Sequence, residues 1–204
     1  AAGPPDGSLV DRDDALAHRA DPGAVLNALA RLGRSWAAAG DPWSNVYGFA
    51  RTLLALGTAI TLACSHGTTL FRPVAGVATP PPFCSEGLQQ LGWFCIAPAE
   101  HLEALRWIAI LALLVVASGW RPRLTAPLHW WISLSLQMNA TVVDGGDQLT
   151  ANLTLLLLPV ALTDGRRWHW LAARERALDE AEVRRRLVAR FWLTLVRVQV
   201  AVVY

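Results

Sequence analysis

Apolar stretches and short polar breaks alternate along this chain, and five of the stretches have the length and composition of membrane helices. They cover residues 47–63, 102–118, 128–143, 148–163 and 187–204. Each approaches the ~20 residues needed to cross a bilayer. The break at 118–124, SGWRPRL, places Arg121 and Arg123 in a very short connection. By the positive-inside rule that connection is cytoplasmic. The N-terminus is then cytoplasmic, residues 65–101 lie outside, the DGGD turn at 144–147 lies outside, and DGRRWHW at 164–170 lies inside. Arginine clusters at 121–123, 166–176 and 184–190 all fall on the inner side. Trp120, Trp130, Trp131, Trp168 and Trp170 form an expected inner aromatic belt.

The predicted fold class is an all-α integral membrane protein of about five transmembrane helices, multi-pass in a bacterial cytoplasmic membrane. Residues 1–23 are rich in Pro, Gly, Asp and Arg and are expected to form a disordered tail. Residues 24–40 predict an amphipathic helix with Val25, Leu29, Leu32 and Trp36 on one face and Asn27, Arg31 and Arg34 on another. Such a helix lies in the membrane interface or packs on the cytoplasmic side, and the pattern weighs equally for both. The transmembrane domain spans 45–204. Its residues 170–190 predict a charged cytoplasmic helix, with Glu180/Arg184 and Glu182/Arg186 spaced for i,i+4 pairing. The chain opens without methionine and ends at Tyr204 inside an apolar run, as a piece of a longer parent would.

Composition narrows the chemistry. Hydrophobic residues make up 53% of the chain, and its formal net charge is +2. The sequence contains no lysine, so no lysine base or Schiff base operates within this chain. The arginines suit juxtamembrane anchors better than a nucleic-acid groove, so no nucleic-acid partner is expected, and the bilayer is the expected partner surface. The topology puts Cys84 and Cys95 in an outer loop where oxidation is permitted, and a bridge there contributes ~2–3 kcal/mol. Cys64 is a less favoured partner or a free thiol. No tight ligand spacing indicates a metal, nothing calls for a cofactor, and no protease motif stands out.

Candidate chemistry gathers around the DGGD turn. Asp144 and Asp147 flank two glycines that permit a tight reversal, and Asp147 is placed to cap the fourth span. That is a structural reading; a paired-carboxylate site for a cation, an amine or a proton is the alternative. Polar residues continue into the membrane: Ser133, Gln137 and Thr141, then Ser135 and Asn139, on span three, and Gln148 and Asn152 on span four. They bond neighbouring helices or line a polar cavity. Arg51 and Arg197 lie inside spans one and five, where a buried guanidinium needs a partner. An aspartate of the DGGD turn is one possible partner. His129 reads as an interfacial residue.

The segments RTLLALGTAITL, PPFC with a following FC, SGWRPRLTAPLHWW, ATVVDGGDQLTANLTLLLLP and LTDGRRWHW together resemble the sporulation-delaying protein SdpB family. That family is one of the HTTM-domain membrane proteins, a wider group that includes the membrane part of vitamin K-dependent gamma-carboxylase. The resemblance covers most of the chain. It implies an HTTM-like helical domain that works with an SdpA-like soluble partner in the maturation or export of a secreted antimicrobial peptide toxin, with the precursor peptide as its substrate. The carboxylase lysine has no counterpart here. Two further readings stand beside this one: a membrane enzyme acting on a quinone-like or lipid substrate, and a structural or immunity protein. Whether the protein is an enzyme stays open at this level.

Overall fold

A computed structural model describes residues 22–71, 84, 87–141, 144–171 and 177–203. Most of the expected N-terminal tail lies outside the described residues, as do Arg174 and Arg176. Among the described residues seven α-helices follow one another: α1 (Pro22–Ala38), α2 (Asn45–Cys64), α3 (Gly67–Leu70), α4 (Leu102–Ala117), α5 (Pro122–Asn139), α6 (Gly145–Thr163) and α7 (Glu180–Val203). Three 3-10 turns, Gly87–Leu91, Trp93–Cys95 and Ala99–His101, lead into α4. Among the described residues there is no strand; Trp120 and Trp168 alone form an isolated antiparallel bridge.

The long helices run up and down. Helix α4 packs between α2 and α5, α6 between α5 and α7, and α1 lies along α7. One end of this bundle carries the disulfide loop and the start of α6. The other, hereafter the arginine end, carries the α4–α5 and α6–α7 connections. Residues Ala55, Ala59 and Leu62 of α2 pack with Ala109, Leu113 and Val116 of α4 and Ile132 and Leu136 of α5. A second cluster joins Trp43, Tyr47, Ala126, Leu157, Val160 and Ala189 at the arginine end.

Polarity is inverted across the long helices. Val46, Leu53 and Ile60 of α2, Leu111 of α4 and Val202 of α7 are exposed, whereas Arg51, Thr58, Thr125, His129, Ser133 and Thr154 are buried. An exposed apolar exterior on this scale marks a surface meant for something other than water. One helix among the described residues, Asn45–Cys64, is both long and apolar enough to cross a membrane by length and composition. Helix α4 has 16 residues, short of the usual crossing length, and α7 begins with a strongly charged turn.

The sequence-predicted boundaries and placements need correction at several points. Helix α5 starts at Pro122, six residues earlier than the pattern suggests, because a proline at the first helical position has no N–H to leave unpaired. It continues through Pro127. That earlier start carries Trp131 away from the arginine end, and its Nε1 donates to the Leu91 carbonyl of the disulfide loop at 2.8 Å. The charged segment does not form a separate helix ending near 190. Its described part from Glu180 is the first turns of α7, capped by Asp179, whose Oδ1 accepts from the Glu182 backbone N–H at 2.7 Å. Glu182 is buried and pairs with Arg185 (2.8 Å) and Arg186 (3.1 Å), so this carboxylate is an anchor between turns rather than a solvated charge. His129, expected at an interface, is buried with its Nε2 unpartnered.

Candidate functional site

At the arginine end, two separated strings of sequence meet. The Arg121 N–H donates to the Arg167 carbonyl (2.7 Å), and the His169 N–H donates to the Gly119 carbonyl (3.0 Å). Trp170 Nε1 donates to the Ser118 carbonyl at 3.0 Å. These bonds clasp SGWRPR to GRRWHW and deliver the His169 ring, fully buried, into the helix bundle.

Arg51 of α2 receives it. Arg51 Nη1 lies 3.3 Å from His169 Nδ1, and Nη2 donates to Thr125 Oγ1 at 3.1 Å. A guanidinium has no acceptor, so Nδ1 accepts and the neutral ring carries its proton on Nε2. That nitrogen lies 3.3 Å from Thr52 Oγ1, and Thr52 in turn donates to the Ala117 carbonyl at 2.8 Å. The bonds therefore run in one direction, from guanidinium to imidazole to hydroxyl to backbone. Burial, followed by the charges of Arg51 and Arg166, lowers the His169 pKa to about 4, with Asp164 opposing. The ring is neutral at physiological pH, as the bonding pattern requires.

Two glycines make room for this ring. A Cβ on Gly119 would clash with His169 Cδ2, and the backbone φ of +84° also favours glycine there. A Cβ on Gly48 would meet the same atom at 3.0 Å. Asp164 closes the end of α6, fully buried, and Arg166 grips it through Nε (2.9 Å to Oδ1) and Nη2 (2.9 Å to Oδ2). The fork geometry matches a carboxylate on both oxygens, one of the stronger pairings available to a protein.

The predicted site residues do not form one cluster. Asp144 and Asp147 stand together at the disulfide end, where Asp144 Oδ1 accepts from the Asp147 N–H at 2.9 Å. Asp144, not Asp147, is thus the cap of α6. Asp147 is half-buried, and its carboxyl is raised above the usual range by burial and then by the charge of Asp144. Gln148 and Asn152 are exposed on the following turns of α6. Arg51 is level with Thr154 and Leu157, around a small cavity of about 10 Å³ that His129 also lines. Thr154 lies ten residues along α6 from Asp144, roughly 15 Å at 1.5 Å per residue. The guanidinium therefore meets His169 and Thr125, not the DGGD carboxylates.

Arg197 is exposed on α7, beside Trp36, Asp41 and Arg190. Asn139 is buried near the disulfide loop and donates to the Ser135 carbonyl at 3.1 Å. Its neighbour Ser135 does not bond another helix either. Ser135 Oγ accepts from the Trp93 N–H at 2.7 Å and so pins that loop to α5. Cys84 and Cys95 form the expected disulfide, and Cys64 is free and exposed. Among the described residues no group of His, Cys, Asp and Glu is arranged to hold a metal ion.

Sequence reasoning missed His169, Asp164 and Arg106. The first two sit inside LTDGRRWHW, where the arginines drew the reading. Arg106 interrupts a stretch read as continuously apolar. It is buried, pairs with Glu103 at 2.8 Å and caps the end of α2 through the Leu62 carbonyl. A charged residue within an apolar run was the available signal.

The class these features define is an α-helical bundle with an apolar exterior, a buried polar network and a disulfide-closed loop. Two curated proteins of Bacillus subtilis (strain 168) are similar to it. The uncharacterized protein YitO is 39% identical over 166 residues, which is 80% of this chain and 52% of YitO. Sporulation-delaying protein SdpB is 32% identical over 166 residues, 80% of this chain and 49% of SdpB. The chain spans about half the length of these curated relatives. No family model matches the sequence, and no solved structure matches it.

Proposed function

We propose that this protein is the membrane component of the maturation or export of a secreted, sporulation-delaying-type peptide toxin. The observation that carries the reading is the 32% identity to SdpB across 80% of the chain. The exposed apolar sides of α2, α4 and α7 and the buried polar interior support a bundle set in lipid. In this reading α2, α4, α5, α6 and α7 all cross the membrane, the N-terminus is cytoplasmic, and the disulfide end faces outward. The HTTM kinship, an SdpA-like soluble partner and a precursor peptide belong to the same proposal.

The precursor is held at the outer rim, where Asp144, Asp147, Gln148 and Asn152 present carboxylates and amides near the disulfide loop. Asn139 braces that loop from below, while Arg51 and its histidine fix the helices that carry the rim. The test compares, by mass spectrometry, the peptides secreted by matched strains with and without the gene in its native neighbourhood. A defined peptide is expected only with the gene, and Asp147→Asn is expected to abolish it while leaving the protein inserted. Identical secretomes, with the precursor expressed, overturn the maturation reading. Wild-type yield from Asp147→Asn overturns only the site.

The raised Asp147 carboxyl favours a second reading, in which it carries a proton for a quinone-like or lipid substrate. A lipophilic molecule copurifying with the protein, and lost in Asp147→Asn, supports that reading. Full function with both aspartates replaced supports a structural or immunity role instead.

A further inference from the structure

The clasp at the arginine end also builds a groove that nothing in the polar network uses. It has a volume of about 410 Å³ and is lined by Arg121, Arg123, Leu124, Gly165, Arg166 and Arg167. Its four guanidinium-bearing residues come from two segments, the start of α5 (Arg121, Arg123) and the loop after α6 (Arg166, Arg167). The Arg121–Arg167 backbone bond holds those segments together. Arg166 is satisfied by the buried Asp164. Among the described residues, none of the ion pairs involves Arg121, Arg123 or Arg167. All three are exposed.

A loop that only marks the cytoplasmic side needs positive charge, not convergence. Here three guanidinium groups without a carboxylate partner surround one groove, Arg121 lying also over the Trp120 ring, and Arg121 holds a left-handed backbone, φ +36°, at the start of α5. That conformation is unfavourable for a residue with a side chain and persists where the surroundings enforce it. Guanidinium forks match the oxygens of a phosphate, and a groove of this size accommodates a headgroup-sized ligand.

We propose that this groove binds a phosphate-bearing anion, either the headgroup of an anionic phospholipid or a soluble phosphate. The site is independent of the peptide-maturation reading and lies at the opposite end of the bundle from the DGGD carboxylates. A zwitterionic headgroup is disfavoured, because its ammonium would sit among the arginines.

The test uses the full chain purified in detergent. Retention of phosphatidylglycerol and of phosphatidylcholine is followed by native mass spectrometry, and thermal stability is followed with inorganic phosphate against chloride at matched ionic strength. The double variant Arg123→Gln/Arg167→Gln removes two charges that make no bond within the fold, and Arg123→Lys/Arg167→Lys keeps charge but removes the fork. For a lipid headgroup, the wild type retains phosphatidylglycerol preferentially, and the glutamine variant holds it about tenfold less tightly. For a soluble phosphate, inorganic phosphate raises the wild-type midpoint and not the variant's. Should the glutamine variant not fold, the lysine variant is expected to show the same loss in smaller measure. Unchanged phosphatidylglycerol retention and phosphate response in the folded variants overturn the proposal.

Discussion

The two ends of this bundle are closed by opposite means. At the arginine end, Arg51, His169, Thr52 and Thr125 interlock through side chains inside the helices. At the disulfide end, a covalent bridge closes the loop, and Ser135 and Trp131 bind it through its backbone. The first closure depends on shape at two glycines and on one ring being neutral. The second depends on oxidation. A single helical scaffold thus has one end sensitive to packing and protonation and another sensitive to redox state.

The sharpest way to break that comparison is Gly119→Ala. The added methyl meets the His169 ring and must adopt a positive φ, so a loss of roughly 2–4 kcal/mol is expected as a lowered unfolding midpoint in detergent. Gly145→Ala at the other end has nothing within 4 Å of its Cβ and should stay within about 0.5 kcal/mol. Equal losses from the two substitutions would remove the contrast between the ends.

Reduction, or Cys84→Ser with Cys95→Ser, should cost about 2–3 kcal/mol and increase proteolysis of the disulfide loop. The His169 clasp should survive this change, which limited proteolysis at the α6–α7 connection can follow. Acid acts on the other closure. The folded-state pKa of His169 lies near 4, below its unfolded value of about 6.5. The unfolded chain binds more protons between those values, so this contribution is intact above about pH 6.5 and is lost as pH falls toward 4. His169→Gln should flatten that part of the pH profile; an unchanged slope assigns the acid sensitivity to another group.

Most helices were legible because apolar runs of helical length announce themselves. The pairing of Cys84 with Cys95 followed from their shared place between two such runs. The start of α5 slipped because the apolar run begins only at Leu128, whereas the helix begins at Pro122, a favoured first position, and passes through Pro127. The candidate site was harder for a physical reason. Arg51 and His169 are joined by tertiary packing across 118 positions, and no periodicity links a residue in one helix to a ring in a distant loop. The glycines that admit the ring were equally silent, since Gly48 reads as an ordinary helical position and Gly119 as an ordinary turn. Asp144 and Asp147 were legible as neighbours because they lie three positions apart, although the cap of α6 is Asp144 rather than Asp147.

The wide separation of Arg51 and His169 also sets a clock on biogenesis. At about 5–20 residues per second, the ribosome takes roughly 6–24 s to travel from the arginine to its histidine. Throughout that interval α2 has been made, but its guanidinium has no His169 ring to meet. The newborn segment must wait in water, against a lipid headgroup or beside an insertion factor. Only when residue 169 emerges can it take its final place.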